Sequence, residues 1–175
     1  MGSPAPPPLA GWCHAGVDKA GRRFSLYLCG AGEGNAALRD LYDAFEPKGC
    51  TLCLPPLNDD RRTQWLEGLL EQGVNVLALA DGIVVGHATV MGTENEGVGE
   101  YLVFVRPEYQ NCGFGTALSE AVVEIARALG YRWLWVLVEG RNRRAIHVGR
   151  KVGFQMEGPV AAEREMLLDL ASGPV

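Results

Sequence analysis

The sequence predicts a mixed α/β domain in which a central, mostly antiparallel β-sheet carries about four helices. Two observations support this class. Three β-type segments follow one another with short turns through the middle of the chain, and the pattern then changes to alternating helix and strand. An antiparallel meander followed by a β-α-β-α-β segment is typical of one mixed sheet with helices packed on it. At 175 residues, the chain is the length of a single domain.

The first elements are predicted from periodicity and from residues that begin or end a helix. Residues 24–28 alternate weakly between polar and apolar side chains, as a half-buried strand does. Residues 38–45 have apolar side chains at helical spacing, and Pro47 ends that helix. Asn58 is placed to cap a second helix through its side-chain oxygen, and Gly73 is placed to end it.

The later elements begin with the meander, whose strands are predicted at residues 74–80, 83–91 and 99–105. Asp81-Gly82 is a strong hairpin signal between the first two of these strands. A long amphipathic helix follows and ends at Gly130. The last three elements are a strand, a short helix and a strand, at residues 133–138, 142–152 and 166–170.

Composition excludes several classes of protein. Hydrophobic residues make up 47% and charged residues 21%, which is close to the globular average and excludes a disordered chain. The run from Val74 to Ala80 is too short to span a bilayer, and the N-terminus lacks the pattern of a signal peptide. We therefore expect a cytoplasmic protein with no membrane partner. Residues 1–21 are predicted to be a proline-rich tail and lead-in, flexible at its start, and residues 22–175 to form the domain.

The net charge of −5 argues against general binding of nucleic acid. The charge is uneven, because five of the sixteen basic residues lie between positions 141 and 151. A basic patch on an acidic protein suits a small polyanionic ligand better than DNA, although a solvated helix face is an equally simple interpretation.

The cysteines predict neither a disulfide framework nor a metal site. Their number is five, which is odd, and no secretory signal accompanies them. Cys50 and Cys53 have the spacing of a redox or zinc site, but zinc needs two more ligands and no second such pair is present. We expect no bound metal.

The most informative segment runs from Val103 to Thr116, where a strand ends near Pro107 and a Gln-x-x-Gly-x-Gly turn leads into a helix. Two glycines allow close approach of a ligand, and backbone N–H groups at a helix N-terminus bind phosphate. A dinucleotide site requires a third glycine where this chain has Leu118, and a nucleoside-triphosphate loop requires Gly-Lys-Ser/Thr. Two interpretations of this turn remain, a site that binds a diphosphate and an ordinary tight turn.

The turn and its flanks resemble the acyl-CoA-binding signature of the GNAT superfamily of N-acetyltransferases, Val105-x-Pro107 followed by Gln110-x-x-Gly113-x-Gly115. Asn142-x-x-Ala145, running to Gly153-Phe154, resembles the fourth-helix motif of that superfamily. The resemblance implies a sheet that splays in the middle, with acetyl-CoA in the splay and no metal. Its diphosphate would lie on Gln110, Asn111, Cys112, Gly113, Phe114, Gly115 and Thr116. Its pantetheine arm would contact Asn142 and the backbone of Val103, Phe104 and Val105.

Glu100 is the candidate general base. An amine of pKa near 10 is mostly protonated at neutral pH and must lose a proton before it attacks a thioester. Glu100 lies on a strand that is otherwise apolar, and burial would raise its pKa toward neutrality. The segment from Gly99 to Gln110 is similar to the bacterial Pat-type protein-lysine acetyltransferases, in which the matching glutamate is the base.

The predicted activity is transfer of an acetyl group to a primary amine. A lysine side chain or another cationic amine is favoured, because Glu94 and Glu96 accompany Glu100. The alternatives are an N-acetyltransferase acting on an amino acid or antibiotic amine, and a non-catalytic acyl-CoA-binding module. The non-catalytic alternative arises because position 149 is glycine, where many relatives have a tyrosine that protonates the leaving thiolate. His147 and Tyr109 are weak candidates to replace that tyrosine. Dimers are common among these relatives, which makes a homodimer a candidate assembly.

Overall fold

The computed structural model of the chain describes residues 13–29, 35–49 and 54–172. Its strands are β1 to β8, at Cys13–Val17, Arg23–Cys29, Gly73–Ala80, Ile83–Gly92, Val98–Val105, Trp133–Glu139, Gln155–Glu157 and Glu163–Asp169. Its α-helices are α1 to α4, at Asn35–Ala44, Asp59–Gln72, Phe114–Ala128 and Arg143–Val152. Among the described residues, no helix is both long and apolar enough to cross a membrane.

The strands form a single sheet in the order β1-β2-β3-β4-β5-β6-β8-β7. Every neighbouring pair is antiparallel except β5 and β6, which are parallel. These two strands pair only at Val98–Trp133, Gly99–Leu134 and Glu100–Trp135. Beyond Glu100, β5 stays paired with β4 but leaves β6. The prediction of a mixed, mostly antiparallel sheet that splays in the middle is therefore confirmed.

The helices cover the two faces of the sheet. On one face, α1 and α2 pack over β3 and β4, and Phe104 of β5 contacts the rings of Tyr42, Phe45 and Trp65. On the other face, α3 packs over β3, β4 and β5, and α4 lies beside α3. Each face thus has its own apolar core, and the splay between β5 and β6 lies between them.

A buried polar network fixes α1 on the sheet. His87 of β4 is fully buried, and burial lowers its pKa to about 3, so the ring is neutral. Asn75 donates its amide N–H groups to the carbonyls of Leu69 and Gly73, so its Oδ1 accepts from Nε2 of His87 at 2.9 Å. Nδ1 of His87 then accepts from the Tyr42 hydroxyl. The side chains of Tyr42, Asn75 and His87 all have partners within this network, which explains why a histidine is stable inside this core.

Several helix and turn boundaries follow local rules that the sequence displays. Oδ1 of Asn58 accepts from the N–H of Arg61 at 3.0 Å and caps α2 as predicted. Gly153 ends α4 with a left-handed φ of 108°. Asp81 and Gly82 both have positive φ, as the tight hairpin between β3 and β4 requires.

Two strands were not predicted. β1 is short and mostly exposed, and it pairs only with β2 at the sheet edge, so its side chains show no alternation. β7 has three residues and pairs only with β8 at the opposite edge. β1 lies within the segment predicted as a lead-in, while residues 1–12 are outside the described residues. β8 begins three residues before the predicted strand, because Glu163 to Glu165 are charged residues at strand positions.

Candidate active site

A cleft opens where β5 and β6 diverge. Residues 101–104 form one wall and residues 136–139 form the other, and the cleft holds about 650 Å³ including its open mouth. The remaining lining comes from both faces of the sheet: Phe45, Leu54, Asn142, Ala145, Val148, Gly149 and Met166. The cleft therefore passes through the sheet, and backbone groups of the unpaired part of β5 are available to a ligand.

The Gln-x-x-Gly-x-Gly turn lies at the end of β5 and leads into α3. Asn111 and Gly113 have φ of 61° and 106°, and Gly113 is the N-cap of α3. The first helical bond runs from the N–H of Ala117 to the carbonyl of Gly113 at 3.0 Å. The N–H groups of residues 114–116 precede this bond and point out of the helix start, where they favour an anion.

The side chain of Gln110 links the turn to β5 on one side and to α4 on the other. Its Nε2 donates to the carbonyl of Val105 at 3.1 Å, and its Oε1 accepts from Nη1 of Arg144. Because both ends of this amide are engaged, a ligand at the turn would meet the backbone of Gln110 rather than its side chain. This arrangement was not predictable, since Arg144 is 34 residues away in sequence.

Two further contacts fix the turn. The hydroxyls of Tyr101 and Ser119 share a buried hydrogen bond, and Ser119 donates to the carbonyl of Gly115 at 2.6 Å. On the other side, the N–H of Lys19 donates to the carbonyl of Cys112 at 3.0 Å. The loop between β1 and β2 therefore supports the turn, together with β5, α3 and α4.

Glu100 lies at the closed end of the cleft. It is the last residue of β5 that pairs with β6, and it lies between Met91 of β4 and Trp135 of β6 on the face that carries α1 and α2. It does not itself line the cleft, but Leu102 on the same face does. Within the described part of the chain, its carboxylate has no hydrogen-bond or ion-pair partner, and partial burial raises its pKa.

This raised pKa predicts how Glu100 affects stability. The folded state binds the proton of Glu100 more tightly than the unfolded chain does, so stability falls as the pH rises through the raised pKa. Glu100→Gln removes the half-buried charge, and we expect its unfolding midpoint at pH 8 to be about 1–3 °C above that of the wild type. The difference should shrink as the pH is lowered toward 4. Calorimetry between pH 4 and pH 8 measures this difference in unfolding midpoint, with Glu96→Gln, a change at an exposed residue, as control. A difference that grows at low pH would contradict a raised pKa for Glu100.

Asn142 lies at the mouth of the cleft and caps α4. Its Oδ1 accepts from the N–H of Ala145 at 3.0 Å, which leaves the Nδ2 amide group for a ligand. The loop before it is closed by a bond from its own N–H to the carbonyl of Glu139 at 2.8 Å.

Gly149 lines the cleft, and the structure explains its small size. An added Cβ would lie 2.9 Å from Cε and 3.1 Å from Sδ of Met166, and 3.7 Å from Phe154. A tyrosine here would have to displace Met166 from the core beneath α4. His147 is exposed on the outer flank of α4, and the Tyr109 hydroxyl donates to Asp81 at 3.0 Å, so neither lines the cleft.

Sequence reasoning missed one residue of the cleft. Glu139 lines the cleft at the end of β6, and no local signal identifies it, because only the pairing of β6 with β5 and β8 places it there. Trp135 of the same strand is paired with Glu100. The described residues contain no group of three or more side chains that could hold a metal ion, and Cys50 and Cys53 lie outside the described residues.

A model of the acetyltransferase (GNAT) family matches residues 34–154. The chain belongs to this family. It is 29% identical over 109 residues to an L-methionine sulfoximine/L-methionine sulfone acetyltransferase of Pseudomonas paraeruginosa, covering 59% of this chain and 63% of that protein. It is 32% identical over 65 residues to spermidine N(1)-acetyltransferase of Escherichia coli K12, covering 37% of this chain and 35% of that protein. These matches span less than two thirds of each relative.

The fold is also that of solved GNAT structures. The GNAT domain of S. lividans PAT superposes with a TM-score of 0.74 at 16% identity, covering 91% of this chain and 98% of that domain. The GNAT family uses acetyl-CoA as acyl donor, and the residues of this chain fit such a donor. A Cβ added at Gly113 would meet nothing within 4 Å, so the space in front of the turn is open.

Proposed function

We propose that this GNAT protein transfers an acetyl group from acetyl-CoA to a primary amine, with Glu100 as general base. The main supporting observation is that β5 and β6 separate directly after Glu100, whose unpartnered carboxylate lies at the closed end of the cleft. A carboxylate without a cation or donor nearby, whose pKa is raised by burial, binds a proton more tightly than an exposed carboxylate does, which is the direction that a general base requires.

The donor would lie along the unpaired part of β5. Its pantetheine arm would contact the backbone of Val103, Phe104 and Val105 and the amide of Asn142, and its diphosphate would lie on residues 110–116. The N–H groups at the start of α3 and the helix dipole would stabilise the diphosphate charge. Gly113 has no side chain, and no other atom lies within 4 Å of the position of its missing Cβ, so this space is open.

The chemical step is then an aminolysis of the thioester. Glu100 takes a proton from the ammonium form of the acceptor, directly or through water, and the free amine attacks the acetyl carbonyl. A C–N bond forms, the C–S bond breaks, and the nitrogen gives its second proton to the departing thiolate or to water. The N–H of Phe104 or Val105 would stabilise the negative charge that develops on the carbonyl oxygen. A thiol pKa near 8.5 means that the thiolate is a good leaving group at neutral pH, so no acid at position 149 is required.

A cationic acceptor is supported by the charges around the cleft. Glu139 is paired with Glu163, and Glu157 with Glu165, on the sheet face that carries Glu100. Like charges directly opposite each other are unfavourable, and a cation bound between them would offset that repulsion. Glu94 and Glu96, by contrast, are exposed in the turn before β5. We propose a lysine side chain or a polyamine as acceptor. The homodimer stays a prediction.

An amino-acid-like amine is the second candidate acceptor. The relative from Pseudomonas paraeruginosa, which matches 109 residues of this chain, is named for methionine sulfoximine and methionine sulfone. Such acceptors carry a carboxylate, and a basic group near the cleft would be needed to bind it. Arg144 at the start of α4 is the candidate, although Gln110 engages it here.

Thermal unfolding with acetyl-CoA tests the donor. A ligand at a hundredfold excess over its dissociation constant stabilises by about 2.7 kcal/mol, which raises the midpoint by about 5–11 °C for a chain of this size. We expect this shift with acetyl-CoA and with CoA but not with ATP. The absence of any shift at millimolar acetyl-CoA would contradict the proposed function.

Release of free thiol then identifies the acceptor class. Three acceptors are compared at equal concentration: a lysine-containing peptide, spermidine and methionine sulfoximine. A preference for the first two supports the cationic acceptor, and a preference for methionine sulfoximine supports the second candidate. If acetyl-CoA binds but none of the three amines causes release of its thiol, the non-catalytic acyl-CoA-binding module becomes the better description.

A further inference from the structure

A second concave surface lies on the outer flank of α4, away from the cleft. It is lined by Arg143, Ile146, His147, Arg150, Met156 and Arg164, and we call it the outer groove. Residues 143, 147 and 150 follow one another at helical spacing along one side of α4. Ala145, Val148 and Gly149 on other sides of the same helix line the cleft. The outer groove and the cleft are therefore separate sites that share α4.

The positive charge of the outer groove is not neutralised by the protein. No basic side chain of the groove forms an ion pair with a carboxylate in the described part of the chain. The acidic residues of the adjoining strands are Glu157, Glu163, Glu165 and Asp169, and strand alternation places them on the opposite face of the sheet.

Arg164 gives the second observation. Its Nε is buried and is one of two buried side-chain polar atoms that lack a hydrogen-bond partner among the described residues. A buried N–H without a partner is unfavourable, and a charged one is more so. Because Arg164 also lines the outer groove, this unpartnered donor supports an acceptor that comes from a ligand.

We propose that the outer groove binds a phosphate monoester. Three guanidinium groups present planar pairs of donors that match phosphate oxygens, and the ring N–H of His147 adds another donor. Ile146 and Met156 give the groove an apolar part that fits the organic portion of a small ligand. The net charge of −5 disfavours a long nucleic acid, so a small anion is the better occupant.

Binding of inorganic phosphate to the full chain tests this site. Calorimetric titration is done without acetyl-CoA, at an ionic strength held constant with chloride, so the result is independent of the proposed acetyltransferase activity. We expect saturable binding of one phosphate. Arg150→Gln should weaken it about tenfold, the effect of one charged hydrogen bond. Lys151→Gln, the same charge change on the neighbouring exposed residue outside the groove, should weaken it less than about twofold.

Arg164→Met provides an independent variant that keeps the alkyl stem and removes the buried donor. It should also weaken phosphate binding about tenfold or more, with circular dichroism as the test that the fold is retained. If this variant does not fold, Arg150→Gln decides alone. Absence of saturable phosphate binding, or an equal loss in Lys151→Gln, would overturn the proposal.

The phosphate monoester has two potential sources, the 3′-phosphate of CoA and a separate phosphorylated molecule. If the source is CoA, Arg150→Gln should weaken binding of CoA but not of dephospho-CoA, and CoA should displace inorganic phosphate. If the source is a separate molecule, inorganic phosphate should bind to CoA-saturated protein. Arg150→Gln should then leave the affinities for CoA and for dephospho-CoA unchanged. Both outcomes support the site and distinguish its ligand. Displacement of phosphate by dephospho-CoA and CoA alike would overturn it, because the phosphate would then lie at the turn before α3.

Discussion

Glu100→Gln is expected to lower the turnover number by about two to four orders of magnitude while leaving the affinity for acetyl-CoA unchanged. Glutamine has nearly the same shape but cannot accept the proton of the ammonium group. The loss should fall on kcat and not on acetyl-CoA affinity, because Glu100 is not among the residues proposed to hold the donor. Steady-state kinetics with a measured acetyl-CoA dissociation constant separates these two effects.

The matched control is Glu96→Gln, which makes the same charge change in the exposed turn before β5. Its turnover number should stay within about twofold of the wild type. The pH profile supplies a second control. The wild-type rate should rise through a raised carboxylate pKa, and Glu100→Gln should lose that limb. A variant with normal turnover would show that Glu100 is not the base.

Gly113→Ala is expected to weaken acetyl-CoA binding about 10- to 100-fold, the cost of one or more lost charged hydrogen bonds. At a φ of 106°, alanine is strained, and its Cβ would occupy the open space in front of the turn. The strain should also destabilise the fold by about 1–3 kcal/mol. Calorimetric titration with acetyl-CoA measures the first effect, and thermal unfolding the second.

Gly130→Ala separates backbone strain from ligand contact. Gly130 follows the other end of α3, has a φ of 82°, and has open space around its missing Cβ. Alanine there should cost a similar free energy of unfolding without changing acetyl-CoA affinity. Equal loss of affinity in both variants would mean that the turn does not contact the donor.

Features that depend on near neighbours in sequence were predictable. The caps at Asn58 and Asn142 reach residues only three positions away. The Asp81-Gly82 hairpin and the entry into α3 after Gly113 depend on backbone dihedral angles that only a few residue types adopt. These local rules were enough to predict the order of most elements, whereas the separation of β5 from β6 was implied only by the resemblance to the GNAT superfamily.

Features that depend on strand register were not predictable. Trp135 comes beside Glu100, and Glu139 opposite Glu163, only through pairing between segments that are distant in sequence. The basic patch on α4 was visible in the sequence, but Arg164 joins it from β8, and its buried Nε has no local signature. The sequence shows that position 149 is glycine and not tyrosine. The reason, which is the close contact with Met166, can be seen only in the folded structure.

Three residue pairs join five strands of the sheet to the other three, from Val98–Trp133 to Glu100–Trp135. A sheet with so narrow a junction has a mechanically compliant line through its centre, bridged beyond the junction by helices rather than by strand hydrogen bonds. A donor bound along β5 in the proposed way would act as a partial extra strand there. Occupancy would then stiffen the junction between the two halves of the sheet, and release of the coenzyme would make that junction compliant again.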